Sequence, residues 1–286
     1  TQKILPSKNI FIGGRYREFL QQSTEPGRIS FSPKHVSSLP NLGEVDIFRS
    51  LQLIPGIHQA LSGTAELYIR GGTPDQNIIT IDGMTLYQKT HMFGFISGTQ
   101  ANAVKDIQVY KADYPIRFGG QTSGLIEITS RLGDTRKSHI KLFSNLTTNS
   151  LQLEAPLFSR GSLIITSRVS NNILTSKLYK RIQEFIISND RFNSENNNEN
   201  RPYSQEFKFN NNTIVLSYLL SPKNRMSLTH NEGSDLIIEK RSFFDFNEIF
   251  NTDSSIINEH TKWANRGAIL NWSYYLNKNY QTKISI

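Results

Sequence analysis

Cysteine is absent from the 286 residues. Disulfides, thiolate metal sites and a cysteine nucleophile are therefore excluded. Long apolar runs are missing too. No stretch approaches the ~18 residues that a spanning helix requires. Hydrophobic residues make up 37% of the chain and the mean hydropathy is −0.42, which excludes a bundle of membrane helices. A membrane barrel is not excluded, because its strands are apolar only at every second position. No leader peptide is visible at Thr1, so the sequence is expected to have lost one or to begin downstream of it.

A concentrated basic tract is also lacking. The net charge is +8, with 15 Lys+Arg against 11 Asp+Glu in residues 1–137 and 17 against 13 in residues 138–286. Each part thus carries the same modest excess, and a nucleic-acid partner is not expected. The histidines at 35, 58, 91, 139, 230 and 260 show no HxH, HxxxH or HExxH spacing. GGQTSG lacks the nucleophile elbow, and no GxxxxGK[ST] occurs. No catalytic residue, metal site or cofactor is expected, and the chain does not read as an enzyme.

What is present falls into two grammars. Up to about Lys137 the elements are mixed. GEVDIFRSLQLIPGI reads as a short amphipathic helix with Val45, Phe48, Leu51 and Leu53 inside, Glu44 at its positive end and Pro55-Gly56 as its stop. Strands ELYIR and NIITID follow, then the loop YQKTHMFGFISG, a short helix over TQANAVKD, and strands DIQVYKA and GLIEITS. The pattern is a small α+β domain with many tight turns.

From His139 the grammar is period two. In SLQLEAPLF, Leu151, Leu153, Ala155 and Leu157 share one face, and Gln152 and Glu154 the other. In NTIVLSYLL, Ile214, Leu216, Tyr218 and Leu220 alternate with Thr213, Val215, Ser217 and Leu219. RMSLTH and GAILNWSYYL behave alike, which means half-buried antiparallel strands. About seven are expected, near 139–145, 150–157, 162–170, 207–220, 225–232, 263–276 and 279–286. Short turns at 158–161, 221–224 and 277–279 alternate with long polar loops at about 171–206 (with NSENNNEN) and 233–261. An outer-membrane barrel has this alternation of turns. Tyr274, Tyr275 and Tyr280 suit an interfacial girdle. A soluble β-sandwich remains open on periodicity alone.

Several ordered motifs carry a resemblance. Ile69-Arg70-Gly71, the apolar strand Ile79 to Gly83, and DIQVYKADYPIRFGGQTSGLIEIT are similar to the plug domain of TonB-dependent outer-membrane receptors. SPKHVSSLPNLGEVDIFRSLQLIPGI resembles the segment before it, and RGGTPDQN with HMFGF points to one subgroup. QVYKADYPIRFGG departs from the wording of the glycan-importing subgroup. The resemblance covers residues 29–137 as plug, behind a lead-in of 1–28, with 138–286 as the first part of an antiparallel transmembrane barrel. Since a barrel that holds a plug needs about 22 strands, about seven make it incomplete.

The resemblance implies a receptor in the Gram-negative outer membrane, its N-terminus periplasmic, importing a scarce solute. Its partners would be TonB, through a box upstream of the residues given, the solute, the lipid bilayer and, in addition, a surface-exposed lipoprotein. A surface adhesion or scaffold protein with a plugged barrel and no transport is the alternative. Arg70 follows a strand read as buried, and the resemblance implies that it latches onto barrel glutamates. Gly71, Gly72, Gly83, Gly119, Gly120 and Gly124 are expected at tight turns or close backbone approaches. Asp82 is expected to cap its turn through its side chain. Tyr87, Gln88, His91, Phe93 and Phe95 form a candidate solute-facing apex, with wall packing open for the two phenylalanines.

Overall fold

A computed structural model describes residues 20–22, 27–31, 45–59, 65–112, 114–189, 204–244, 254–277 and 280–286. Glu44, the NSENNNEN tract and the start of the chain lie outside the described residues. The head contains β1 (Leu20–Gln22), β2 (Arg28–Phe31), α1 (Ile47–Leu51), β3 (Ile57–His58), β4 (Tyr68–Ile69), β5 (Ile78–Ile81), β6 (Met84–Thr85), β7 (Thr90–His91), β8 (Ile96–Ser97), β9 (Val104–Tyr110) and β10 (Leu125–Ser130). Its main sheet has the order β1-β2-β9-β10-β5-β6. β1 lies within the segment read as a lead-in, so the sheet crosses that boundary. β5 runs parallel to β10 and is buried at all four positions. A parallel strand covered on both faces reads as a continuous apolar run, and IITI does. Ile79 and Ile81 enter the main core with Phe48, Leu51, Ile69, Ile107 and Ile128. Ile78 enters a smaller cluster with Tyr110 and Leu125.

The first helix is shorter than the pattern suggests. α1 has five residues, and Asp46 caps it by accepting from Arg49 N at 3.0 Å. Ile47 takes the place expected of Leu53, which is 58% exposed beyond the helix end. TQANAVKD gives only a 3-10 turn at Ala101–Ala103, because Val104 already starts β9.

The tail is a seven-stranded antiparallel wall in chain order: β11 (His139–Ser144), β12 (Thr148–Leu157), β13 (Gly161–Ser170), β14 (Ser204–Ser221), β15 (Asn224–Phe244), β16 (Ser254–Tyr275) and β17 (Gln281–Ser285). The strand count agrees with the alternation. The long-loop expectation needs correction at both places. Residues 233–244 and 254–261 continue β15 and β16, and residues 172–189 form a helix, α2 (Asn172–Asn189).

Sidedness separates a barrel from a sandwich. The buried row of the wall is largely polar, with Gln152, Glu154, Thr166, Arg168, Asn211, Thr213, Ser217, Thr229, Asn231, Asp235 and Asn271, interrupted by Ile164, Phe207, Phe209, Val215, Ile237 and Ile269. The row facing away is apolar. Ala155, Leu163, Leu216, Leu228 and Leu270 are in register across five strands. Leu216, Leu228 and Leu270 are 37%, 41% and 36% exposed. A soluble sandwich would bury this row and leave the polar one wet. Polar inside and apolar outside is the membrane-barrel arrangement. One row nearer the short turns come Tyr218, Met226 and Trp272. Trp272 stacks on Tyr274 at 6.4 Å. Of the expected girdle, Tyr274 is on this outward face one row further toward the short turns, Tyr275 alternates to the other face, and Tyr280 lies outside the strands.

Candidate functional site

The head is held to the polar row at two levels, and again where the chain passes from head to wall, by Arg131 Nη2 on Glu154 Oε1 at 3.0 Å and by Asp134 N on Glu154 Oε2 at 3.3 Å. The upper one is built on the hairpin β7–β8, in which Thr90 faces Ser97 and His91 faces Ile96. Its tip places Met92 and Phe93 at φ 51. Gly98 closes the hairpin, since a Cβ there would lie 2.7 Å from the Lys89 carbonyl oxygen. His91 points into the wall and is fully buried. Its Nδ1 meets the Asp235 carboxylate, and its Nε2 lies 2.8 Å from Asn211 Oδ1. The ring stacks on Phe209 at 4.6 Å. Gly233 makes the seat: a Cβ on it would stand 2.9 Å from Asn211 Nδ2 and 3.7 Å from the His91 ring.

Asn211 on β14 is the hub of this contact. Its Oδ1 also accepts from Arg168 Nε at 3.1 Å, and its Nδ2 donates to Gly98 O at 3.2 Å. Gln100 Nε2 donates to the Asn211 carbonyl at 3.1 Å, and Arg168 Nη2 to Ser97 O at 2.7 Å. Behind Ser97 stands Asp46, which accepts from Ser97 N at 3.1 Å. Burial pushes the Asp46 carboxyl up, against the N–H groups of Arg49 and Ser97 and the charges of Arg49 and Arg168. Folded, Asp46 holds its proton to higher pH than unfolded. Acid therefore favours the folded head, and that contribution is lost as pH rises through the folded value. Asp46→Ala removes both the cap and the acceptor for Ser97. It is expected to cost about 2 kcal/mol, read from denaturant unfolding of the head.

The lower level is Asp82, at φ 53. Its Oδ2 accepts from Thr229 Oγ1 at 2.6 Å, and its carbonyl from Asn271 Nδ2 at 3.2 Å, both on the wall. Its Oδ1 accepts from Ser130 N at 2.9 Å, at the end of β10. The expected cap of its own turn is thus replaced by a tie between β10 and the wall. Beside it Met84 fills the space over Gly267, where a Cβ would lie 2.3 Å from the sulfur.

An aromatic cover closes the upper level. Tyr179 of α2 stacks between Phe93 of the hairpin, at 5.8 Å, and Phe207 of the wall, at 5.4 Å. Its hydroxyl donates to Glu239 at 3.3 Å. Met92, Ile182, Phe209 and Ile237 are buried with it, and Phe95 and Trp263 pack against them.

The structure thus divides the candidate apex. Tyr87 is 81% exposed, while His91 serves the wall contact and both phenylalanines pack against the cover. Tyr87, Gln88, Lys89, Glu66, Trp263 and Asn265 line a cavity of about 810 Å³. Lys89 Nζ donates to the carbonyls of Pro74 and Asn77 at 2.7 and 2.8 Å, and burial holds its amine low against the pull of Asp75 and Glu66.

Arg70 departs from the expectation. β4 ends at Ile69, which takes the buried place, and Arg70 turns out exposed at φ 49. It makes no ion pair among the described residues. Of the six glycines expected at turns or close approaches, Gly71, Gly83 and Gly120 have positive φ. Gly72 and Gly124 serve close approach, since a Cβ would meet Ser123 Oγ at 2.2 Å and Ile69 Cδ1 at 2.5 Å respectively. Gly119 does neither, with nothing within 4 Å of its Cβ position. The residues that sequence reasoning missed are Arg168, Asn211, Asp235 and α2. The one available signal was an ionisable residue at a polar-row position inside a strand.

Residues 35–125 match the family model of the TonB-dependent Receptor Plug Domain. Among curated proteins, none matches the chain in sequence. Solved structures do match in shape. The outer membrane transporter YddB from Escherichia coli aligns with a TM-score of 0.51 at 12% identity, covering 90% of this chain and 39% of that one. The siderophore receptor PirA from Pseudomonas aeruginosa aligns at 0.49 and 12%, covering 92% and 49%. The ferric enterobactin receptor PfeA aligns at 0.48 and 12%, covering 92% and 45%. The chain therefore spans less than half the length of each of these structures. The head is a plug domain, and the tail is a run of antiparallel strands that fits an incomplete barrel.

Proposed function

We propose that the chain is the plug and the first barrel strands of an outer-membrane receptor that imports a scarce solute with energy delivered by TonB. One observation carries the reading: the plug is seated on the polar row of a wall whose opposite row is apolar. Such a wall needs lipid on one side and a filled lumen on the other. Residues 29–137 would be the plug and 138–286 the barrel part, with the N-terminus in the periplasm. The solute is a chelated metal, a vitamin, an oligosaccharide or a peptide. Tyr87 and Gln88, on the cavity next to Trp263, are its proposed contacts. Arg70, exposed in this chain, is proposed to pair with acidic residues of further barrel strands.

Accumulating a solute a hundredfold costs ~2.8 kcal/mol, and the outer membrane has no nucleotide supply. The energy would arrive as a pull on an N-terminal box, to which TonB adds a strand. Solute must favour the box-exposed state, because a ligand that binds both states equally signals nothing. The test is uptake by cells carrying the full-length protein without the segment preceding the plug. Uptake and growth on the limiting nutrient are expected to stop. Unchanged uptake sinks the reading and leaves adhesion or scaffolding.

A further inference from the structure

We infer that Tyr179 is a positioning residue: through it α2 holds the tip of the plug hairpin β7–β8 in a strained backbone, so that lifting α2 releases the hairpin. The tip supplies the first observation. Met92, Phe93 and Gly94 follow one another with φ of 51, 51 and 91. Glycine takes that region freely. A residue with a Cβ takes it at a cost, and then singly rather than in runs. Met92 and Phe93 are therefore a strained pair, and such strain persists only where the surroundings over-determine it.

The surroundings here are the aromatic cover. Met92 is fully buried in one cluster with Tyr179, Phe207 and Ile237. The Phe93 ring meets Tyr179 at 5.8 Å and Trp263 at 6.3 Å. Turning either residue to the right-handed region would aim its side chain out of these contacts. From the plug side, Arg49 Nη2 donates to Phe95 O at 3.1 Å, one residue past the strained run.

α2 is attached by a narrow stripe. Thr175, Tyr179 and Ile182 are buried, while Ile173, Leu174 and Leu178 are exposed. Beside the stripe, Ser176 Oγ accepts from Phe207 N at 3.1 Å, on the part of β14 that runs beyond its pairing with β13. At the foot of the helix, Asn171 N donates to Thr147 O at 2.7 Å, which keeps that end on the wall when the body lifts. The hairpin thus has two inputs. α2 reaches it through Tyr179. The cavity reaches it through Trp263, which lines the cavity and packs on Phe93, and through Gln88 and Lys89 just before β7. An element with two shapes, biased from two places, is what coupling between sites requires. That a solute works this latch rests on the proposed import. That α2 and the hairpin open together rests on the geometry alone.

The test is hydrogen exchange read by mass spectrometry on the full-length protein in lipid nanodiscs. The segments compared are 88–98 for the hairpin, 172–182 for α2 and 78–86 as the control within the plug. In the wild type the hairpin and α2 are expected to show protection within about threefold of each other and to lose it together on warming. Tyr179→Ala should lower protection of both by at least about tenfold, the scale of an aromatic stack, and leave 78–86 unchanged. Tyr179→Phe keeps the stack and should keep both protected. Adding Phe93→Asn to Tyr179→Ala should return about threefold of protection to the hairpin and none to α2, because asparagine tolerates the left-handed region. A wild-type hairpin and α2 that exchange more than about tenfold apart overturn the inference, and this arm needs no variant that must fold. A hairpin unmoved in Tyr179→Ala overturns it as well, and so does a Phe93→Asn that restores nothing. An uptake assay that fails bears on the import reading alone.

Discussion

Asp235→Ala is expected to loosen the plug from its wall by ~1–3 kcal/mol, the cost of leaving the buried His91 Nδ1 without its hydrogen-bond partner. His91 would keep Asn211 and lose the carboxylate, inside a site where both side chains are almost wholly inaccessible. The second half of the prediction separates burial from pairing. His91→Leu together with Asp235→Leu removes both polar groups and fills the same space. Replacing both partners of a buried hydrogen bond by apolar groups of similar shape can be nearly neutral, so the double variant should recover most of the loss. The measurement is the denaturant midpoint of the plug, followed by a fluorophore on Tyr87→Cys in detergent. Equal loss in the single and double variants would show that the pair contributes little beyond its shape.

Leu216→Arg is expected to cost ~2–4 kcal/mol of barrel stability, with the side chain placed near mid-membrane. Leu216 stands in the middle of the registered row, flanked by Leu163 and Leu228 on the adjoining strands. An arginine there has lipid on its outer side and apolar neighbours on both others. Lys262→Leu, on the same outer face but far along β16, is the control and should change stability little. Reversible folding into vesicles, titrated with denaturant, gives both values. A near-silent Leu216→Arg would mean that this face meets water.

Much of this architecture was legible because period two survives in a sequence even when its environment is inverted. Leu216 and Thr213 alternate whether the apolar row meets a core or a membrane. The alternation therefore gave the strands but could not choose between sandwich and barrel; burial of Gln152, Thr213 and Asn231 did. The ends of β15 and β16 were hidden for a related reason. Asp235, Ile237 and Glu239 mix polar and apolar residues on the inward row, so the alternation fades while the strand continues.

The site was harder to read. His91 looked like a solute contact because its loop is aromatic and turn-rich. Its partners lie 120 and 144 residues away, and only the register of β14 and β15 brings them under the hairpin. Arg70 failed for a local reason: β4 is two residues long, so the strand face that would have buried it ends one position earlier. α2 reads as loop in the sequence because, among its residues of described burial, the inner stripe is Thr175, Tyr179 and Ile182, with two large hydrophobic groups to signal it.

The length of the two longest strands has a consequence for how far the wall reaches beyond the bilayer. β15 and β16 have 21 and 22 residues, whereas a tilted strand crosses a bilayer in about 9–11. The apolar rows lie toward the short turns, so the surplus stands at the end that carries α2. At ~3.3 Å per residue and a tilt near 45°, it forms a collar on the order of 25 Å high. Charges are screened beyond ~8 Å at physiological salt. A charge placed at that rim would thus feel the collar's own lysines and glutamates, and almost nothing of the lipid phosphates beneath it.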